Sequence, residues 1–236
     1  MKWIYSLLIS LFVLGAVWSI WNDLREWQGS FKDNSVIIAS LSRDDNASSS
    51  TEVKLTPLNS ELEKKVITII DRPFTPGISL SSEEKLDLEK KINDVYSSIK
   101  VNYDSLNDWI YLGQLRKAIG DYVGARDAWE FASLVRPKNS LSFHNLGDLY
   151  GFYLKDSSKS ELNYLQSIRN DPMNVDAYLN LTDLYWYSGG EEGKKAIPEF
   201  LLNAIKNNAN SEGKLPLIGR LAKYYEEIKD ILNVIK

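Results

Sequence analysis

Few residues in this 236-residue chain could do chemistry, and their types exclude most enzyme mechanisms. Cysteine is absent, so there is no disulfide, no thiolate metal ligand and no cysteine nucleophile. The single histidine, His144, excludes any site that needs two histidines. Neither a Gly-x-Ser-x-Gly elbow nor a phosphate-binding glycine loop occurs in the sequence. We therefore expect that the protein is not an enzyme and takes no cofactor.

Charged residues give no sign of a metal or a nucleic acid. The 28 Lys and Arg residues against 32 Asp and Glu leave a net charge of −4, whereas nucleic-acid binding requires dense positive charge. The acidic pairs Glu83-Glu84, Glu191-Glu192 and Glu226-Glu227 are interpreted as solvated helix faces. The sequence predicts no metal site and no nucleic-acid partner.

The strongest pattern in the chain is an internal repeat of 34 to 36 residues. Aromatic, aliphatic and small residues recur in register in two helical stretches per unit. The positions that recur are Trp109, Phe143 and Tyr178; Leu112, Leu146 and Leu181; Gly113, Gly147 and Thr182; Ala125, Ser160 and Ala196; and Trp129, Tyr164 and Phe200. Small residues let paired helices approach closely, and the last set of aromatics is expected to occupy equivalent niches.

This pattern resembles the tetratricopeptide repeat (TPR), a helix–turn–helix unit of about 34 residues. The first unit (106–139) carries nearly the whole pattern but has Arg116 where the family prefers tyrosine. The second (140–174) and third (175–210) units carry less of it, and the third lacks the glycine. The resemblance implies an all-α, right-handed α-solenoid of about three repeats. Helices at 81–105 and 211–236 are predicted to cap its two ends.

The N-terminus, residues 1–27, is predicted to form a transmembrane signal-anchor helix. Residues 3–21 carry no charge, and a helix of that length spans roughly 28 Å, close to a bilayer's hydrocarbon thickness. Tryptophans flank the apolar stretch, as at membrane interfaces. A cleaved signal peptide is the alternative, although the bulky Val17-Trp18-Ser19 is a poor cleavage site. Lys2 favours a cytoplasmic N-terminus, with the bulk outside the cytoplasm, in a bacterial envelope by fold analogy.

Residues 28–80 are predicted to be a flexible spacer, because no hydrophobic period holds there and residues 40–52 are small, polar and charged. The apolar run at 66–70 is the exception. It is interpreted either as a strand or as a segment that docks on the downstream domain.

The TPR resemblance implies a binding surface, since the first helices of successive units line a concave groove that takes a peptide or protein segment. The non-core positions of these helices are the predicted groove residues. They are Asn107, Ile110, Tyr111, Gln114 and Lys117 in the first unit; His144, Asn145, Asp148 and Phe152 in the second; and Asp176, Asn180, Asp183, Trp186 and Tyr187 in the third. The aspartates predict a preference for neutral or basic segments.

The sequence thus predicts a membrane-tethered scaffold for protein–protein interaction, with a protein or peptide partner and no small-molecule cofactor. An alternative is a constitutive structural subunit of a membrane or envelope complex, with the groove filled by the chain itself or by a partner. An envelope-processing enzyme is a third class, and it is disfavoured because no room remains for a catalytic domain beyond the repeats.

Overall fold

The computed structural model describes residues 60–208 and 211–234, and all regular structure in these residues is helical. The helices are α1 (Ser60–Ile70), α2 (Ser82–Val101), α3 (Leu106–Ala118), α4 (Tyr122–Val135), α5 (Ser140–Asp148), α6 (Ser157–Asn170), α7 (Val175–Ser188), α8 (Gly190–Asn207) and α9 (Lys214–Val234), with a π-helical turn at Leu149–Tyr153. None of the described helices is long and apolar enough to cross a membrane. The predicted anchor at 1–27 and the first part of the spacer lie outside the described residues.

The middle of the chain forms three helical hairpins, namely α3 with α4, α5 with α6, and α7 with α8. The turns inside these hairpins have at most three residues, which makes the paired helices antiparallel. Each hairpin packs against the next, α2 packs on α3, and α9 packs on α8 and α7. The all-α expectation is confirmed for the described residues, and the succession of TPR-like hairpins is the arrangement of an α-solenoid.

Polar caps fix where most of these helices begin. Ser81 and Glu84 form a reciprocal capping box at the start of α2. The side chains of Asp121, Asn139, Asp156 and Asn174 accept backbone N–H bonds at the first turns of α4, α5, α6 and α7. Local sequence therefore sets the hairpin boundaries before any packing is considered.

A glycine opposite an aromatic ring brings the helices of the first two hairpins together. A Cβ on Gly113 would lie 2.1 Å from Nε1 of Trp129, and one on Gly147 would lie 2.6 Å from Cδ1 of Tyr164. Both rings are about 1% exposed, so each fills its niche completely. Trp129 and Tyr164 thus occupy equivalent sites, as the repeat spacing predicts.

The third hairpin departs from this register. Ala196 is exposed and Phe200 is half-buried, whereas Ile197, Leu201 and Ala204 are fully buried. The equivalence of Ala196 and Phe200 to the earlier repeats was therefore wrong by one residue. Thr182 is buried at the position of the two glycines, and its hydroxyl donates to Tyr178 O at 2.8 Å. Phe200 instead packs beside the rings of Tyr178 and Tyr185, at centroid distances of 5.5 and 5.8 Å.

The π-helical turn Leu149–Tyr153 absorbs one residue that the second repeat has in excess of the first. Gly113 and Gly147 are 34 positions apart, whereas the capping residues Asp121 and Asp156 are 35 apart. The widened turn closes through a 2.9 Å bond from Leu154 N to Leu149 O, and Lys155 follows at a φ of 59°. The extra residue therefore widens the end of the hairpin's first helix without shifting the core.

Residues 60–80 differ from the predicted flexible spacer. They contain α1, in which Leu62, Val66, Ile69 and Ile70 are buried, so residues 66–70 are helical and not a strand. The segment after α1 is bonded to the first repeat, where Gly77 N donates to Ile119 O at 2.7 Å. The spacer prediction is therefore corrected from residue 60 onward.

A buried ionic cluster secures that segment. Arg72 donates two hydrogen bonds to Asp121, at 2.7 and 2.8 Å, and Arg116 donates to the same carboxylate at 3.0 Å. Arg116, 1% exposed, also donates to the carbonyls of Arg72 and Pro73 and to the hydroxyl of Tyr96. Burial alone would raise the pKa of Asp121, but the bonds from Arg72 and Gly124 N and the charges of both arginines outweigh it. Its pKa therefore lies below the ordinary value.

Candidate binding groove

Asp148, the last residue of α5, joins three helices at the centre of the predicted groove. The Tyr164 hydroxyl of α6 donates to Oδ1 of Asp148 at 2.6 Å, and Asn180 Nδ2 of α7 donates to the same oxygen at 2.9 Å. Three of the predicted groove residues, His144, Asp148 and Asn180, therefore meet across the second and third repeats. The sequence analysis missed Tyr164, which it assigned to the core alone, although a buried tyrosine hydroxyl requires a partner.

The charge of Asp148 contributes to a raised pKa of Tyr164, the tyrosine that bonds it. Burial and the charge of Asp148 together raise the pKa of Tyr164 far above its ordinary value, so the hydroxyl stays a donor. Both hydrogen bonds fall on Oδ1, while Oδ2 has His144 Nε2 at 3.7 Å. The side chain of Asp148 is 23% exposed, so its carboxylate is partly accessible from solvent.

Two polar atoms beside Asp148 are buried without a hydrogen-bond partner in the part of the chain that the structure describes. They are Nδ1 of His144 and Nδ2 of Asn145. An unpaired buried polar group costs about 1–3 kcal/mol. The ring of His144 contacts Tyr164 edge-on at a centroid distance of 5.9 Å, and its Nε2 lies 3.7 Å from Oδ2 of Asp148.

Aromatic side chains line the edge of this polar centre. Phe152 is 51% exposed and Tyr187 is 78% exposed, and both line a cavity of about 250 Å³, open to solvent, between the second and third repeats. The cavity also reaches Tyr164 and Asp183. Phe152 lies in the π-helical turn, so the inserted residue places an exposed ring here. The site therefore combines an anionic centre with an apolar edge.

The C-terminal part of the predicted groove is covered by α9. Arg220 forms an ion pair with Asp183, and the ring of Tyr224 packs edge-on against Trp186 at 5.8 Å. The ammonium group of Lys194 also lies over the Trp186 ring, 5.4 Å from its centroid. The sequence pattern gave no sign that Arg220 pairs with Asp183, because the two residues are 37 positions apart. Asp183 and Trp186 are therefore engaged within the chain, while Asp176 is exposed.

The first repeat contributes less than predicted. Ile110 is 7% exposed, and its carbonyl accepts a 3.0 Å bond from Trp129 Nε1, so its assignment to the groove surface was wrong. An apolar side chain at the hairpin contact is stabilised by burial. Lys117 lies 4.8 Å from the ring centroid of Tyr153, in the second repeat. Asn107, Tyr111 and Gln114 are exposed, as predicted for groove residues.

No group of three or more metal-ligating side chains occurs among the described residues. The polar centre around Asp148 has one carboxylate and one imidazole, with amide and hydroxyl groups that serve as hydrogen-bond donors. This set suits recognition of a polypeptide segment better than coordination of an ion.

Comparison with known proteins adds little to this description. No protein-family model matches the sequence, and no curated protein matches it. Among solved structures, the chain is similar to a crystal structure of MamA, with 13% sequence identity and a TM-score of 0.44. That alignment covers 66% of this chain and 99% of the other. At this level the likeness does not bear on function, and the fold stands on the hairpins described above.

Proposed function

We propose that the protein is a membrane-tethered scaffold that binds a segment of another protein on the exposed side of α5 and α7. The observation that carries this proposal is the partly exposed carboxylate of Asp148 next to an open cavity. The side chain of Asp148 is 23% exposed, and its partner Tyr164 lines the cavity together with Phe152 and Tyr187. A bound segment would place a cation near Asp148 and an apolar side chain in the cavity.

The partner segment should carry a lysine or arginine beside an apolar residue. The cation would approach the carboxylate of Asp148, and the apolar side chain would enter the cavity between Phe152 and Tyr187. The neutral or basic preference expected from three aspartates now rests mainly on Asp148, because Arg220 neutralises Asp183. Asp176 adds a second exposed negative charge at the start of α7.

The tether is proposed from the sequence of residues 1–27, which reads as a membrane-spanning anchor with the repeats on the non-cytoplasmic side, in a bacterial envelope. No enzymatic activity is proposed, in keeping with a sequence that has no cysteine and a single histidine. A constitutive structural subunit remains the second candidate, favoured by the way α9 already covers Asp183 and Trp186.

Photo-crosslinking in cells tests the scaffold directly. A photoreactive residue at Asn145 should capture one defined protein, whereas the same residue at Val123, 40% exposed on α4, should not. The captured segment should contain a basic residue. Equal capture from both positions would contradict a dedicated site, and a captured copy of this chain would favour the structural-subunit alternative.

Binding of the captured segment can then be measured with purified protein. Asp148→Asn should weaken it about tenfold, because it removes a charge while an amide oxygen still accepts from Tyr164. The matched control is Asp94→Asn on α2, where an exposed aspartate pairs with Lys90. Affinity should also fall between about 0.1 M and 1 M salt, as the Debye length shortens from roughly 10 to 3 Å. Indifference to both changes would refute the role of Asp148.

A further inference from the structure

The helix α9 has two different faces. One face packs on the third hairpin, where Leu217 is fully buried and Arg220 bonds Asp183. The opposite face carries Leu215 at 74% exposure, Ile218 at 41% and Tyr225 at 55%, with exposed Ala222 between the last two. We refer to Leu215, Ile218, Ala222 and Tyr225 as the outer stripe.

The outer stripe has the spacing of a helix-pairing surface. Its members are three, four and three positions apart, which is the heptad pattern that lets one helix lie along another. Terminal helices of solenoids ordinarily present a polar outer face to water. The exposed apolar residues of α2 do not form such a stripe, since Leu86 and Val101 lie at opposite ends of that helix. The apolar spacing therefore distinguishes α9 as a surface for another helix.

Small residues at the centre of the stripe allow a close approach. Ala222 is exposed, and a Cβ on neighbouring Gly219 would meet nothing within 4 Å. The backbone of α9 is thus open at its middle and flanked by larger apolar residues. Two helices crossing there can pack tightly before their larger side chains meet.

The charges along α9 favour a second copy of the same helix as the partner. The first half carries Lys214, Arg220 and Lys223, and the second half carries Glu226, Glu227, Lys229 and Asp230, which gives net charges of +3 and −2. Arg220 pairs with Asp183 and Lys223 pairs with Glu227, so Lys214 and Glu226 are the charges nearest to the stripe that remain for a partner. A second α9 running antiparallel would place the basic half of each helix beside the acidic half of the other. A parallel copy would place like charges together. The sequence of α9 is therefore complementary to itself in one orientation.

We propose that the outer stripe pairs two copies of this chain through antiparallel α9 helices, related by a twofold axis near Ala222. This leaves the polar centre at Asp148 unoccupied, because the stripe lies on the face of α9 opposite to the contact with Asp183. The dimer would then present two binding sites and two tethers, which raises effective concentration at a shared partner.

The absence of cysteine makes the pairing directly testable. In the full chain, Ala222→Cys should form a disulfide-linked species of twice 26.9 kDa under mild oxidation, both in cells and after purification. Leu215→Cys alone should not, since the two copies of position 215 would lie about 21 Å apart along an antiparallel pair, beyond disulfide reach. Val123→Cys, on α4, is the control for random collision.

A second pair of variants removes the pairing without new bonds. Leu215→Glu combined with Tyr225→Glu should convert the dimer to a monomer in light scattering while the helical circular dichroism stays unchanged. Leu202→Glu, at a 54% exposed leucine of α8, should leave the dimer intact. Disulfide formation at both 222 and 215 would overturn the antiparallel arrangement. A monomeric parent chain, or a disulfide at 222 no stronger than at 123, would overturn the proposal, as would protection of the stripe by the chain's own residues 1–59.

Discussion

Adding one methyl group at Gly113 should test the glycine–aromatic niche more severely than any larger surface change. A Cβ there would lie 2.1 Å from Nε1 of Trp129, far inside van der Waals contact. The ring cannot move away cheaply, because it is 1% exposed and its N–H donates to Ile110 O at 3.0 Å. Gly113→Ala therefore forces a displacement of α4 from α3.

The magnitude follows from three contributions. Overpacking a core typically costs about 1–3 kcal/mol. Loss of the indole hydrogen bond leaves a buried N–H unpaired and costs about 1–3 kcal/mol more. Replacing glycine by alanine inside a helix returns about 1 kcal/mol. We expect Gly113→Ala to lower the free energy of unfolding by about 3 kcal/mol.

Urea unfolding monitored by tryptophan fluorescence measures this change, since Trp129 reports on the niche itself. Gly219→Ala, measured at protein concentrations at which the chain is monomeric, is the matched control, because its new Cβ meets nothing within 4 Å in the same chain and only the helix-propensity gain remains. That variant should be more stable than the parent by up to about 1 kcal/mol. If Gly113→Ala proved as stable as Gly219→Ala, the close approach of α3 and α4 would not be what holds the hairpin together.

Three further predictions concern buried polar groups. Asp121→Asn should destabilise the fold by about 3–5 kcal/mol in chemical unfolding, because two arginines lose their carboxylate, whereas exposed Asp94→Asn should change stability by less than about 0.5 kcal/mol. The folded pKa of Asp121 lies below its ordinary value, so its contribution to stability is present above about pH 4 and is lost as pH falls further. Acidification from pH 7 should therefore lower the free energy of unfolding more in the parent than in Asp121→Asn. Burial raises the pKa of Tyr150, Tyr164 and Tyr185, so these three of 13 tyrosines should remain un-ionised in alkaline absorbance titration until the protein unfolds, and stability should fall as pH rises above about 10; smooth titration of all 13 in the folded state would contradict this.

The sequence was sufficient for the first two hairpins because the signal there is local and periodic. Gly113 with Trp129, and Gly147 with Tyr164, sit at spacings that one helical hairpin imposes, and the caps at Asp121 and Asp156 delimit their second helices. The third hairpin was predicted, but the register of its second helix was wrong by one residue, because the aromatic pattern in the sequence continues through Phe200 while Ile197 and Leu201 are the buried residues.

Contacts distant in sequence explain the remaining differences. Arg72 meets Asp121 across 49 positions, and Arg220 meets Asp183 across 37, so neither pair leaves a periodic trace. One signal was available, since Arg116 stands at a core position and a buried cation requires an anion nearby. Asp148 and Asn180 were both predicted groove residues, but their contact with Tyr164 was not predicted, because the partner of a hydroxyl depends on geometry that spacing alone does not give.

The same position of each repeat ties its hairpin to the element before it. Tyr150 donates to Glu130 of α4 at 2.8 Å, and Tyr185 donates to Glu161 of α6 at 2.7 Å. Arg116, at the position that Tyr150 and Tyr185 occupy in the next two repeats, bonds Tyr96 of α2 and the segment beginning at Arg72.

The residues before the first repeat thus take the place of a preceding hairpin. Tyr150 and Tyr185 each donate one hydrogen bond to a glutamate, whereas Arg116 has several N–H donors and bonds two carbonyls and a hydroxyl. The freedom predicted for residues 28–80 therefore does not extend beyond residue 60, where α1 begins, and buried charges and backbone bonds hold the segment after α1. Breaking the Arg116–Asp121 contact should loosen this segment from the first hairpin before it disturbs the residues around Asp148.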